Sequence, residues 1–411
     1  MPTTPTTTNT GPATDPDIRE LTAEDRAAAE QLSAEAFGRA PDPESPLHPG
    51  ARYFGAFVTG QLAAKVTSRD YHSHFHGTTV ATCGLGGVTV AAEHRGSGLV
   101  SRLVPYALEL ARRDGAVVSG LFPTAVGIYR GFGYEPISEL GARTLPTADL
   151  ATAVAPGPDV GVRRATLADI PAVRACYDRW GASQNGPLTR RGASFPADDA
   201  ELLAAGTSIF VVEGAAGLDG YCLWRRGDGF GAEATVSVLD LIALTPAAEA
   251  ALLRTLSSFS MVAGRASLRR SGPDSTRWVR RAGRPDDGDP LPYQLAVLDV
   301  PGAFALLPGT PIAPTEFDLL VRGRHALASV PGRYRIRVTG EPGVRAERIG
   351  DVGATGPDCP VISPGGLAAW WASAAGVAEL RTAGLLDGPT GQDAVLDALV
   401  PRRPVRILDH F

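Results

Sequence analysis

Short apolar runs with strand-like alternation occur from Tyr53 to Val58, Leu62 to Tyr71 and Thr78 to Gly84, and they lead into a β-branched run, Gly87-Val88-Thr89-Val90. The period then changes. From Leu99 to Arg113 apolar residues return every three to four positions, as on a helix with one buried face, and an apolar strand follows from Val117 to Leu121. Upstream, Ile18-Arg19-Glu20-Leu21-Thr22-Ala23-Glu24-Asp25 predicts a short strand and a helix start, with Thr22 as N-cap and the helix running to about Phe37. Asp25 falls at the third helical position, where a carboxylate satisfies free N–H groups. The same pattern returns in Val162-Arg163-Arg164-Ala165-Thr166-Leu167-Ala168-Asp169, ahead of a helical stretch reaching Trp180. Between the two, Ala151 to Pro158 has the composition of a boundary. A second copy of one fold therefore begins near residue 160.

A third segment starts near Leu291, after the polar stretch from Arg281 to Asp289. It contains a helix led by Pro301, strand-like runs at Phe317 to Val321 and Tyr334 to Val338, an Ala-rich helix around Leu367 to Ala374 and a last helix near Gln392 to Val400. The pattern predicts an α/β (α+β) chain of three units, 18–150, 160–290 and 291–411, behind a disordered tail of residues 1–17 rich in Thr and Pro. The length of 411 residues supports two or three cores. A formal net charge of -5 argues against a nucleic-acid partner, because no basic surplus would neutralise phosphates. No apolar stretch is long enough to span a bilayer, so no membrane partner is expected. Cys83, Cys176, Cys222 and Cys359 lie far apart without metal-binding spacing, which predicts no metal knuckle, no disulfide framework and a cytoplasmic location. His72, His74 and His76 would share one face of a strand, a metal-compatible spacing, but they abut Gly77 with no Cys or acid beside them; a polar strand end is the expectation.

The candidate chemistry lies between Val88 and Glu135. Arg95-Gly96-Ser97-Gly98 joins the β-branched strand to the helix beginning at Leu99. Glycines in such a turn let consecutive N–H groups converge on an anion at the new helix start, and Arg95 adds a fixed charge; a pyrophosphate would fit. Gly-rich turns between strands and helices are common, so the loop alone is weak. Its continuation, Gly127-Ile128-Tyr129-Arg130-Gly131-Phe132-Gly133-Tyr134-Glu135, completes an order that resembles the acetyl-CoA-binding core of the GNAT acyltransferase superfamily. The match is Arg95-Gly96-Ser97-Gly98-Leu99-Val100, with Ser101 following, and Tyr129-Arg130-Gly131-Phe132-Gly133-Tyr134; Val100 and Ala92 depart from commoner Gly or Ala and Pro. The resemblance implies acetyl-CoA as cosubstrate. In the second copy, the strand Val236 to Leu244 runs straight into Thr245-Pro246 and the helix Ala247 to Phe259, without glycines or a cation, so that copy is not expected to bind CoA.

A catalytic copy, a degenerate copy and a mixed tail unit ending in Arg402 to Phe411 resemble the Eis (enhanced intracellular survival) N-acetyltransferase family. This implies a third domain like a sterol carrier protein, a hexamer, and acetyl transfer to primary amines of aminoglycoside-like acceptors or lysine side chains. Tyr129 is the expected proton donor to the departing thiolate, since a phenol of pKa about 10 stays protonated at neutral pH; a packing role, with Tyr134 as its equal, is the alternative. The resemblance makes the carboxylate of Phe411 the base. Direct transfer from an alkylammonium to a terminal carboxyl in water is uphill by roughly 9 kcal/mol, so such a base needs burial, a neutral amine, or a proton that leaves after attack. The other reading is a terminus that merely docks. Backbone N–H groups of Val88, Thr89 and Val90 would hold the pantetheine and the oxyanion, with Thr124 a further cofactor contact. Phe37, Asp42 and Glu44, in or beside the Pro-rich loop from Gly38 to Gly50, and Asp409 are candidate acceptor contacts, against an ordinary solvated loop. Competing functions are a biosynthetic acyltransferase with another acyl-CoA or a dedicated amine, and a non-catalytic acyl-CoA or lipid sensor.

Overall fold

A computed structural model of the chain describes residues 15–38, 40–42, 48–152, 160–195, 203, 207–272, 286–308, 313–339, 343–353 and 358–411. The first unit comprises β1 (Asp17–Glu20), α1 (Arg26–Phe37), β2 (Ala51–Val58), β3 (Gln61–Phe75), β4 (Thr78–Val90), α2 (Leu99–Arg113), β5 (Val118–Leu121), α3 (Val126–Arg130) and β6 (Glu135–Pro146). The second follows the same order with β7 (Val162–Arg164), α4 (Ile170–Gly181), β8 (Thr207–Gly214), β9 (Gly217–Arg226), β10 (Gly231–Ala243), α5 (Pro246–Ser257) and β11 (Ala263–Arg270). The remainder contains β12 (Asp286–Asp287), β13 (Leu291–Val297), α6 (Val300–Ala305), β14 (Thr315–Val321), β15 (Gly332–Val338), β16 (Val344–Gly350), β17 (Val361–Ile362), α7 (Pro364–Trp371), α8 (Val377–Thr382), β18 (Leu386–Asp387) and α9 (Asp393–Leu399).

The repeat seen in the sequence is a repeat of hydrogen bonds. The Thr22 N–H donates to Asp25 at 2.8 Å, and Arg19 pairs with the same carboxylate at 2.6 Å; Thr166 and Arg163 do the same to Asp169 at 2.8 and 2.7 Å. Two-residue hairpins set the register of the first sheet. Thr59-Gly60 and His76-Gly77 both take positive φ at each position, the turn that matches the twist of paired strands. β4 is one strand where two runs were expected, because a bulge at Gly87 (φ 57°) carries it past the irregularity to Val90.

The segment expected to open a separate third unit begins instead inside the first sheet. β13 fills the gap between β5 and β6, pairing Gln294 with Leu121 and Tyr293 with Ser138. β6 in turn pairs with β11, so both copies share a continuous sheet in the order β1-β2-β3-β4-β5-β13-β6-β11-β10-β9-β8-β7. Among the described strands, β14 to β18 alone form a sheet of their own, packed with α6 and α7 around the fully buried Phe304, Trp370 and Trp371. The histidine stretch also differs from expectation. His72 is exposed, but His74 and His76 are buried where β3 meets the other units, His74 against Gly181 and His76 edge-on to Trp371 at 4.8 Å. Among the described residues no three His, Cys, Asp or Glu side chains converge on a metal position, and no helix is long and apolar enough to cross a membrane.

Candidate active site

β4 and β5 run parallel, yet they pair only at Thr82 with Val118, Cys83 with Ser119 and Gly84 with Gly120. β5 ends at Leu121 while β4 continues to Val90, so beyond Gly84 the two strands part and one edge of β4 is left without its neighbour. Val88, Thr89 and Val90 lie on that stretch. Its unladdered groups can hydrogen-bond an extended ligand as a missing strand would. The loop from Arg95 to Gly98 follows at once. Gly96 and Gly98 take φ of 80° and 79°, and a Cβ at either would meet nothing within 4 Å, so these glycines serve backbone conformation and face open space. Ser97 N–H and Ser101 N–H bond back to His94 and Gly98, while Leu99 and Val100 begin α2 with their amides directed out of the first turn. The Arg95 side chain is exposed and has no ion pair among the described residues. The arrangement fits a pyrophosphate.

The two faces of the opened strands differ. On one, the Tyr134 hydroxyl donates to Ser119 Oγ at 2.7 Å, which donates to the Cys83 carbonyl at 2.9 Å. Tyr129, on α3, packs its ring 6.1 Å from that of Tyr134. Its own hydroxyl has no hydrogen-bond partner among the described residues, and burial raises its pKa, so it keeps its proton at neutral pH. The neighbour Tyr134 is spoken for by Ser119. On the other face, glycines make room for aromatic rings: a Cβ at Gly84 would lie 2.6 Å from Tyr71 and 2.9 Å from Phe411, and one at Gly120 would lie 1.8 Å from the Tyr293 hydroxyl. Phe411 packs against Tyr71 (4.9 Å), Phe122 (5.7 Å) and Tyr293 (6.3 Å), and its terminal oxygen lies 3.9 Å from a Cβ position at Gly86. Phe411 thus reaches the parting of β4 and β5 opposite the Tyr129 face. The His410 ring lies 4.6 Å from that of Phe122, tilted by 35°, and its pKa is lowered by partial burial and by Arg69 and Arg269.

Residues 17–137 and residues 186–295 each match an acetyltransferase (GNAT) domain family. The chain carries two GNAT domains. An uncharacterized N-acetyltransferase of Streptomyces griseus is 29% identical over 242 residues, 52% of this chain and 55% of the relative, so the chain spans about half that relative's length. Another from Streptomyces avermitilis is 28% identical over 390 residues, 85% of this chain and 86% of the relative. Among solved structures, a GCN5-related N-acetyltransferase from Kribbella flavida aligns with a TM-score of 0.76 at 24% identity, covering 97% of this chain and all of that one. Eis1 from Mycobacterium abscessus aligns at 0.73 and 21%, covering 96% of this chain and all of that one. At these identities the likeness to solved structures is one of fold.

Val88 to Val90 and the loop from Arg95 to Ser101 follow the parting of β4 and β5, Tyr129 packs on Tyr134, Phe411 lies over Gly84 and Gly86, and the exposed Thr124 stands on the connection from β5 to α3. Phe37 is 54% exposed at the end of α1, and it is not among the rings packed on Phe411; Asp42 is exposed; Glu44 lies outside the described residues. Asp409 does not face solvent as an open acidic contact. Arg190 holds its carboxylate at 3.0 and 3.1 Å. Tyr71, Phe122, Tyr293 and His410 escaped the sequence reading; Gly84, Gly86 and Gly87, clustered in a strand, were the one local sign that something approaches closely there. In the second GNAT domain β10 passes to α5 through Thr245, whose side chain accepts from the Ala248 N–H at 3.1 Å, and no glycine loop intervenes.

Proposed function

We propose that this chain is an N-acetyltransferase of the Eis family, moving the acetyl group of acetyl-CoA to a primary amine of a small cationic, aminoglycoside-like acceptor or of a lysine side chain. The observation that carries the reading is the opening between β4 and β5, with the free Tyr129 hydroxyl on one face and the Phe411 carboxylate on the other. Arg95 and the amides that begin α2 bind the pyrophosphate, and the unladdered edge of β4 at Val88 to Val90 aligns the pantetheine and offers an N–H to the oxyanion. Tyr129 supplies the proton to the thiolate. Phe411 takes the amine proton after attack, when nitrogen is far more acidic than an alkylammonium; before attack the transfer is uphill by roughly 9 kcal/mol. Four buried free cysteines accord with a reducing, cytoplasmic setting, and a hexamer follows from the family reading.

The test is CoA-thiol release across aminoglycosides, polyamines and lysine peptides, with a native C-terminus and with a few residues added after Phe411. The extended protein is expected to bind acetyl-CoA normally and to lose at least tenfold in turnover. Equal turnover in both would remove Phe411 from the chemistry, and no turnover with any amine would favour an acyl-CoA sensor.

A further inference from the structure

The second GNAT domain repeats the parting of strands seen in the first. β10 and β11 pair in parallel as far as Val238 with Leu268, after which β10 continues along β9 alone. Here the gap is bridged by the chain's own C-terminal segment. Asn185 N–H donates to the Pro404 carbonyl (2.9 Å), Arg406 N–H to the Asn185 carbonyl (2.8 Å), and Ile407 N–H to Ser271 Oγ (2.7 Å). On the β11 side, Arg269 donates to the Leu408 carbonyl at 3.0 Å. Leu408 itself is buried in the second domain's core with Tyr177, Ile209, Tyr221 and Ile242. On the β10 side stands Asp240, whose side chain is 2% exposed and which accepts from the Tyr221 hydroxyl at 3.0 Å. Arg190 joins the two sides: it pairs with Asp240 and with Asp409, and its guanidinium lies 4.2 Å from the centre of the Tyr177 ring. Its backbone is held at φ 54°, a conformation costly for a residue with a Cβ and kept only where the surroundings fix it.

We propose that the cofactor cleft of the second GNAT domain has become a binding site for the chain's own C-terminal peptide, latched by Arg190 between Asp240 and Asp409, and that Arg190 is thereby a positioning residue for the terminal carboxylate two residues on. The docking stands on these contacts alone, whereas its catalytic consequence rests on the role given to Phe411 above. One cation serves two carboxylates. Without it Asp240 and Asp409 face each other as like charges in a poorly solvated place, and the tail separates. The cleft for acetyl-CoA lies in the other domain and is untouched.

Full-length Arg190→Met and Arg190→Met/Asp240→Asn are compared with the unaltered protein for release of phenylalanine by a carboxypeptidase and for kcat and acetyl-CoA KM. Arg190→Met is expected to release Phe411 at least tenfold faster and to lose at least tenfold in kcat, with KM within about twofold. The double variant, which relieves the facing charges but still lacks the tie to Asp409, is expected to recover only part of both. Asp409→Asn, which leaves the Arg190–Asp240 pair in place, is expected to loosen the tail without depending on the folding of the Arg190 variant. Unchanged carboxypeptidase resistance in Arg190→Met and Asp409→Asn would overturn the latch. Faster release with unchanged turnover would uphold the docking site and refute the positioning role along with the catalytic role of Phe411.

Discussion

Tyr129 and Tyr134 stand five residues apart with their rings in contact, and only their hydroxyls distinguish them. The Tyr134 O–H is committed to Ser119, while that of Tyr129 is uncommitted. Tyr129→Phe keeps the packed ring and removes the proton donor; it is expected to lower kcat about 100-fold with little change in acetyl-CoA KM, read from initial rates. Tyr134→Phe should leave kcat within a few-fold and cost about 1 kcal/mol in urea unfolding, the usual net worth of a buried hydrogen bond. The reverse pattern would exchange their roles. At this scale the sequence offered candidates where they share one local motif, as with Arg95, Gly98 and Tyr129. Tyr71, Phe122 and Tyr293 come from three separate segments, and only folding brings them around Phe411.

Under the proposed function, substitutions at two glycines on the unit of β4, loop and α2 are expected to separate cofactor binding from acceptor chemistry. Gly98, at φ 79° with open space around it, is needed for its conformation alone. A side chain there is disfavoured by roughly 1–2 kcal/mol, so Gly98→Val is expected to raise acetyl-CoA KM about tenfold and leave kcat nearly intact. Gly84 has an ordinary φ but no room, since a Cβ would strike the Tyr71 and Phe411 rings. Gly84→Val is expected to displace the terminus and lower kcat at least tenfold with KM for acetyl-CoA held. If both variants changed only KM, the terminus would not belong to the site. The elements themselves were well marked: the helical period of Leu99 to Arg113 coincides with α2, and both N-terminal capping patterns form. What the sequence could not place was β13. Its pairing with β5 and β6 spans more than 150 residues of chain, and no local pattern records which gap a strand will fill.

The units are joined by buried polar and aromatic contacts, and one of these joints titrates. Asn185, fully buried, accepts the His76 N–H at 2.9 Å, donates to the Ala372 carbonyl at 3.0 Å and exchanges backbone bonds with the tail, so one residue ties the β3–β4 hairpin to the third unit and the C-terminal segment. His76, at the tip of that hairpin, lies edge-on to Trp371. Burial, helped by Arg403, holds its pKa down to about 4, and burial lowers His325, packed against Gly133, to about 4 as well. Unfolded, each would titrate near 6.5, so between pH 6.5 and 4 the unfolded chain binds more protons than the folded one. Stability is therefore complete above about pH 6.5 and declines as the pH falls toward 4, by up to roughly 3 kcal/mol for a histidine buried as fully as His76. His76→Asn removes the titrating ring and tolerates the positive φ of 53° at that position. Its melting temperature, followed from pH 7.5 to 4.5, is expected to fall less steeply than that of the unaltered chain, even if it starts lower for want of the Trp371 contact. Parallel slopes in the two proteins would mean that the acid sensitivity of the inter-unit joint lies elsewhere.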